Sequence, residues 1–151
     1  MPVLPVDRTL RQRHHGFSLL ELLVVISIIA VATAGASLAL RDNANATLER
    51  EGARLAALLE AGRAQSRASG VPVRWQSMAG GFRFEGLPEN QLPSQWLSAS
   101  THVRGDDQLL LGPEPLIAPQ GITLVNTEAP QSALRIATDG LRPFAVQTTT
   151  P

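Results

Sequence analysis

The chain divides into three stretches that differ in how apolar and polar residues alternate. Residues 17–40 are apolar nearly throughout and carry a single charge, at Glu21. Residues 41–70 have apolar positions at three-, four- and seven-residue spacings, which is typical of an amphipathic helix. From residue 71 onward, apolar and polar residues alternate with a period of two, which indicates β-strands. The sequence therefore predicts one long helix followed by a β-rich domain.

Proline divides the chain at the same place. None occurs between Val6 and Val71, whereas nine occur from Pro72 onward. Because proline breaks helix interiors, Phe17–Ser69 can form one nearly continuous helix, and Gly70 is the expected C-cap.

The second half of this helix has an apolar side that we expect to pack on the chain's own domain. Its members are Leu48, Leu55, Leu58, Leu59 and Gly62. The charged residues are expected elsewhere on the helix surface: Arg50, Glu51, Arg54, Glu60, Arg63 and Arg67.

Strands are predicted where the period is two. Val71, Val73 and Trp75, a turn at Gly80-Gly81, then Phe82 and Phe84 predict a hairpin with one apolar face. Further strands are predicted at residues 109–111, 122–125, 134–138 and 144–147, with a turn at Asp139-Gly140. Residues 86–108 are predicted to be a long loop around a small buried piece at Trp96-Leu97.

The apolar run is long enough to cross a membrane. Phe17–Leu40 contains 24 residues, which span about 36 Å at roughly 1.5 Å per residue, against a hydrocarbon core of about 30 Å. Residues 1–16 hold three arginines and one aspartate, and the rest of the chain holds ten arginines and twelve acidic residues. A positive segment before an apolar helix predicts a cytoplasmic N-terminus, with the C-terminal domain outside.

Glu21 is the residue that an ordinary membrane segment does not explain. A charge in the hydrocarbon costs about 2.5–3.5 kcal/mol, so such residues usually have a functional partner. A plain single-pass anchor has the same length. A secretory signal has the same basic and apolar regions, with small-residue cleavage sites at residues 30–32 or 32–34. Both alternatives leave Glu21 without a role.

Residues 16–21, Gly-Phe-Ser-Leu-Leu-Glu, follow the basic stretch and precede the uncharged run. This pattern resembles the class III signal of type IV pilins and pseudopilins. The resemblance implies that prepilin peptidase cleaves between Gly16 and Phe17 and that the new amino group of Phe17 is methylated. It also implies that Glu21, the fifth mature residue, makes an assembly contact with the N-terminal amine of a neighbouring subunit.

The second half resembles the H-type minor pseudopilin of type II secretion systems. The matching segments are Gly-Val-Pro-Val-Arg-Trp at 70–75, Gly-Gly-Phe-Arg-Phe at 80–84, the Trp-Leu step at 96–97 and Ala-Thr-Asp-Gly-Leu-Arg-Pro-Phe-Ala-Val at 137–146. This resemblance implies an α+β, type IV pilin-like fold, with the long helix packed on an antiparallel β-rich domain. It implies a structural subunit near the tip of a periplasmic pseudopilus, whose partners are other minor pseudopilins, the major pseudopilin and secreted cargo.

Together these observations predict four segments. A prepilin leader occupies residues 1–16, a transmembrane helix residues 17–40, its amphipathic continuation residues 41–70 and a periplasmic β-rich domain residues 71–151. The expected location is the bacterial inner membrane, and the pseudopilus after assembly. The chain contains no cysteine, so no disulfide is expected in the periplasmic domain.

Little in the domain points to catalysis or to a cofactor. His102 is expected in a polar surface loop beside Ser98, Ser100, Asp106 and Asp107. The two aspartates could contribute to a calcium site, but no regular acidic spacing surrounds them. No nucleophile elbow, phosphate-binding glycine loop or zinc spacing is present. We therefore expect neither enzyme activity nor a cofactor, metal or small-molecule substrate.

Two other functions stay open at this stage. One is a FimT-like minor type IV pilin, involved in pilus assembly or DNA uptake. DNA binding requires clustered cations, whereas residues 41–151 hold ten arginines against eleven acidic residues, so no nucleic-acid partner is expected. The other is a periplasmic binding protein or enzyme with an ordinary signal peptide. Its mature N-terminus would lie at Thr33 or later.

Overall fold

The structure, a computed structural model, describes residues 18–147. Helix α1 runs from Leu19 to Ser69 and is followed by seven strands. The strands are β1 Arg74–Met78, β2 Gly81–Glu85, β3 Thr101–Arg104, β4 Gln108–Leu110, β5 Gln120–Asn126, β6 Ala133–Thr138 and β7 Ala145–Gln147. The predicted helix and all the predicted strands are therefore present within these residues. Residues 1–16 and Phe17 lie outside them.

The strands form two antiparallel sheets. The first sheet has the order β2-β1-β4 and the second the order β3-β5-β6-β7. The side chain of Gln120 connects them: its Oε1 accepts the N–H of Leu110 at 3.0 Å, and its Nε2 donates to the carbonyl of Leu110 at 2.6 Å. One amide side chain thus takes the place of a ladder pair between β4 and β5.

Contacts divide the chain into two compact units, with the boundary after Ala36. The first unit contains the beginning of α1, and the second contains the rest of α1 and both sheets. The core of the second unit is formed by one side of α1 and by residues of both sheets. Leu48, Leu55 and Leu59 are 2%, 1% and 0% exposed, and they share a cluster with Trp75, Phe82, Ile122 and Ile136. The apolar side predicted from the sequence is therefore the buried one, although Leu58 is only partly buried.

Two glycines of α1 allow the sheets to approach the helix closely. A Cβ built on Gly52 would lie 2.2 Å from Cδ2 of Leu134, and one built on Gly62 would lie 2.9 Å from Cδ1 of Leu111. The chain thus has an α+β, type IV pilin-like arrangement, in which one long N-terminal helix packs on antiparallel β-sheets.

The prediction that the charged residues lie on the helix surface is wrong for Glu51 and Arg63, which are 1% and 3% exposed. Glu51 Oε1 accepts the N–H of Leu97 at 2.9 Å. Arg63 Nη2 donates to the carbonyls of Gly140 at 2.9 Å and Pro115 at 3.2 Å. The hydrophobic periodicity predicted the wrong location for these residues. Their charged ends form hydrogen bonds with backbone groups of distant loops, and these hydrogen bonds offset the cost of burial.

Two Glu-x-x-Arg pairs on α1 hold loops in the same manner. In the first, Arg54 Nη1 donates to the carbonyl of Gln95 at 2.9 Å and lies 3.7 Å from Glu51 Oε1. In the second, Glu60 Oε1 accepts the N–H of Phe144 at 2.9 Å and lies 3.7 Å from Arg63 Nη1. The helix therefore anchors the segment before β3 and the segment before β7.

The end of α1 is as predicted. Gly70 has a φ of 68°, a left-handed conformation that glycine adopts without strain. Its N–H donates to the carbonyl of Ser66 at 2.9 Å, and the Ser66 hydroxyl donates to the carbonyl of Val71 at 2.7 Å.

Three expectations about the loops need correction. The first hairpin turns at Ala79 and Gly80, and Gly81 already pairs with Met78 as the first residue of β2. Residues 86–108 are not one loop, because strand β3 (Thr101–Arg104) lies within them and pairs with β5. Its serine-rich and charged surroundings concealed a strand with only one strongly apolar residue, Val103.

The Trp96-Leu97 step is less buried than expected. Trp96 is half-buried against Phe82, with ring centroids 4.6 Å apart, whereas Leu97 is 64% exposed. Only one of the two apolar side chains therefore reaches the core.

Candidate N-terminal assembly site

Helix α1 begins with a capped first turn. The hydroxyl of Ser18 accepts the N–H of Glu21 at 3.1 Å, and the carbonyl of Ser18 accepts the N–H of Leu22 at 3.1 Å. Serine is a favoured N-cap because its oxygen satisfies one of the four free N–H groups of the first turn. Sequence reasoning missed the cap, although the spacing Ser18-x-x-Glu21 is the signal of a capping box.

Glu21 lies in the first turn of α1, with its side chain exposed. A carboxylate at this end of a helix interacts favourably with the partial positive charge of the helix N-terminus. The cap thus fixes the position of Glu21 three residues into the helix. The other two residues of the predicted site, Gly16 and Phe17, lie outside the described residues.

The segment that follows Glu21 is uncharged up to Leu40, and its large apolar side chains are exposed, among them Leu22 at 56%, Ile28 at 63% and Val31 at 74%. Its hydroxyls are bonded to its own backbone: Ser27 donates to the carbonyl of Leu23 at 2.7 Å and Thr33 to that of Ile29 at 2.9 Å. Helix α1 is long and apolar enough to cross a membrane, which makes it compatible with a single-pass membrane anchor. A secretory signal would meet the same criterion.

The comparisons with known proteins gave a match at the N-terminal end of the chain. Residues 11–37 match the model of the prokaryotic N-terminal methylation motif. Neither the comparison with curated proteins nor that with solved structures gave a match.

The chain therefore carries the N-methylation motif of type IV pilin-like proteins at the start of an apolar helix. The motif supports a pilin or pseudopilin, and it implies processing by a prepilin peptidase and assembly with other pilin-like subunits. The match includes Gly16, Phe17 and Glu21, whose individual roles stay predictions.

The structure places His102, Ser98 and Ser100 in surroundings that differ from the polar loop predicted from the sequence. His102 lies on strand β3 rather than in a loop, with its side chain exposed. The hydroxyls of Ser98 and Ser100 are bonded to each other at 2.8 Å, and Asn126 donates to Ser100 at 3.1 Å. Within residues 18–147, His102 has no hydrogen bond to a serine or an aspartate.

The aspartates considered for calcium lie in the turn between β3 and β4. Asp106 and Asp107 are exposed, and the carbonyl of Asp107 accepts the N–H of Ser77 at 2.8 Å. No group of three or more His, Cys, Asp or Glu residues able to hold a metal ion occurs in the part of the chain that the structure describes.

Proposed function

We propose that this chain is an H-type minor pseudopilin of a type II secretion system, a structural subunit near the tip of the pseudopilus. It helps assembly and thereby the export of folded proteins across the outer membrane. The methylation motif, the capped apolar helix and the pilin-like packing of α1 on two sheets support a subunit of this kind. Its partners are the prepilin peptidase, other minor pseudopilins, the major pseudopilin and secreted cargo.

The subtype rests on the sequence resemblance of the second half of the chain, at residues 70–75, 80–84, 96–97 and 137–146. The alternative is a FimT-like minor pilin. The near balance of ten arginines and eleven acidic residues in residues 41–151 favours protein secretion over DNA uptake. A structural role is proposed rather than an enzymatic one.

The proposal includes a processing step and a membrane topology. Prepilin peptidase removes residues 1–16, Phe17 is methylated, residues 17–40 cross the inner membrane and residues 41–70 continue the helix. The basic N-terminal side stays in the cytoplasm, so the domain of residues 71–151 faces the periplasm.

The observation that carries the proposal is a single carboxylate near the start of residues 17–40, a membrane-length apolar segment with no other charge. Hydrocarbon disfavours a lone charge, and a buried charge is tolerated when it is paired. In an assembled bundle, Glu21 pairs with the positively charged amine of a neighbouring subunit's Phe17. The contact exists only between subunits, which makes Glu21 an assembly residue rather than an insertion residue.

Replacing Glu21 tests this role. Glu21→Leu should be inserted and cleaved normally, because the membrane run becomes more apolar, but it should join the pseudopilus poorly or not at all. Ser27→Leu is the matched control, since it also makes the run more apolar and Ser27 bonds only to its own helix, at Leu23. Cleavage, membrane level, presence in sheared pseudopili and secretion are compared in cells where each variant is the only copy.

A strong secretion defect in Glu21→Leu with normal cleavage supports the proposal, and a partial defect is the smallest that a tip subunit should show. Full secretion with Glu21→Leu would contradict it. An equal defect in Ser27→Leu would show that the apolar run as a whole, not the carboxylate, is what assembly requires.

A further inference from the structure

A groove lies on the surface of the second sheet, where β6 turns into β7. Its volume is about 400 Å³. The small or flat side chains of Ala137, Pro143 and Ala145 line it together with Arg142 and Gln147. We call it the β6–β7 groove. Its lining is mostly apolar, with a few polar groups.

Strand β7 borders this groove and is an edge strand. It is the last strand in the order β3-β5-β6-β7, and no further strand pairs with it in the described part of the chain. The side chain of Val146 points to α1, since its Cγ2 would lie 3.2 Å from a Cβ on Gly52. The neighbouring Ala145 and Gln147 therefore face the opposite side, where they line the groove.

The edge of β7 carries no charge and no proline, and its one protective feature is its length of three residues. Natural sheets protect exposed edges with charges, and with prolines in the strand. No charged residue occurs from Pro143 to Pro151, and the three residues of β7 are all exposed. The free edge is thus able to accept another strand.

Two guanidinium groups flank the groove. The side chain of Arg142 is 85% exposed, and Arg135 is exposed and stands opposite Gln147 in the β6–β7 register, on the same face. The side chain of Arg135 makes no hydrogen bond or ion pair within residues 18–147. Both cations are therefore available to a ligand.

The one acidic residue of the groove is engaged by its own turn. Asp139 Oδ1 accepts the N–H groups of Arg142 at 2.8 Å and Leu141 at 3.0 Å, and Oδ2 lies 3.6 Å from Arg142 Nε. The N–H groups of Arg142 and Leu141 hold the pKa of Asp139 below its usual range. The ion pair leaves the two terminal nitrogens of Arg142 without a partner among the described residues.

We propose that the β6–β7 groove binds an extended, acidic segment of another protein. The segment adds to β7 as a further strand, and its acidic side chains pair with Arg135 and Arg142. Strand addition supplies main-chain hydrogen bonds, while the side-chain pairs select the sequence. The inference does not depend on the pseudopilin assignment, because it uses the groove, the edge of β7 and the two arginines, and not the methylation motif.

The test uses the full chain in detergent and a fluorescein-labelled peptide of alternating threonine and glutamate, followed by fluorescence anisotropy. The peptide should bind, and the interaction should weaken as salt rises, because the ion pairs are exposed. The double variant Arg135→Gln, Arg142→Gln should bind roughly five- to tenfold more weakly, the effect expected for two exposed ion pairs. Arg74→Gln is the control, since Arg74 is an exposed arginine on β1 of the other sheet.

Three results would overturn the proposal. The first is the absence of peptide binding to the unaltered protein. The second is equal affinity in the double variant, with thermal melting confirming that the variant is folded. The third is unchanged affinity for a peptide N-methylated at alternate backbone nitrogens, because such a peptide cannot pair as a strand. A duplex DNA oligonucleotide that displaces the peptide with the same dependence on both arginines would assign the groove to nucleic acid instead.

Discussion

The two halves of helix α1 have the same backbone conformation and opposite side-chain chemistry. From Leu22 to Leu40 the helix has no charge, and its leucines, isoleucines and valines are exposed. From Arg41 to Ser69 it has one buried side, and four of its charged residues bind loops of the domain. The first half of the helix thus exposes its apolar side chains, whereas the second half buries them in the domain.

This difference distinguishes the intrinsic propensity that forms a helix from the packing that stabilises its position. Most helical stability in proteins comes from the packing of one side rather than from intrinsic propensity. The second half has that packing within the chain itself. The first half has its large apolar side chains exposed within the described residues, and the methylation motif implies assembly with other pilin-like subunits.

The largest expected difference concerns leucines of the two halves. Leu55 is 1% exposed and Leu38 is 61% exposed. Leu55→Ala leaves a cavity in the core and should lower the free energy of unfolding by about 2–5 kcal/mol. Leu38→Ala shortens a mostly exposed side chain and should change the free energy of unfolding by less than about 0.5 kcal/mol. Thermal melting of the full chain in detergent compares the two variants.

Leu58→Ala refines this comparison, because Leu58 is only partly buried. Its effect should fall between those of Leu55→Ala and Leu38→Ala. An unchanged midpoint for Leu55→Ala would show that the buried side of α1 does not stabilise the domain, and would instead favour a free surface for another subunit.

A smaller effect on stability is expected from replacing Glu51, which lies in the second half of α1 and is buried against the segment before β3. Burial raises the pKa of Glu51 above its ordinary value of 4.5, although the bond from Leu97 N–H and the charge of Arg54 act in the opposite direction. Its Oε2 has no hydrogen-bond partner within the described residues. The ionised carboxylate is therefore incompletely compensated.

Because the folded protein keeps the Glu51 proton to a higher pH than the unfolded chain does, stability falls as pH rises from the unfolded pKa through the folded one. Glu51→Gln keeps an acceptor for Leu97 and removes this charge. Its melting midpoint relative to the unaltered protein should thus be higher at pH 7 than at pH 4. A relative midpoint that falls between these pH values would contradict the assignment.

The sequence predicted the helix, its C-cap, its buried leucines and the positions of the strands, because each depends on local periodicity or on a single glycine. It did not predict the burial of Glu51 and Arg63, because their partners are backbone groups at least 46 residues away. It also missed β3, whose pairing with β5 is not apparent from its own composition. Long-range polar contacts were thus the main source of error.

The roles of the candidate site residues stay predictions. Glu21 was singled out because a charge is conspicuous in an apolar run, whereas the Ser18 cap was missed because it is a local polar contact at the start of that run. The β6–β7 groove was not predicted, since it depends on a register that brings Arg135 opposite Gln147.

Removal of residues 1–16 should expose an N-terminus that is competent for assembly. Intact-mass measurement of the protein purified from membranes, with N-terminal sequencing, tests it most directly. We predict a chain that begins at Phe17 and carries one added methyl group. Gly16→Val should leave the leader attached, because the peptidase must accommodate the side chain before the cut. A mature chain that begins beyond Ala30 would contradict the account and indicate an ordinary secretory signal.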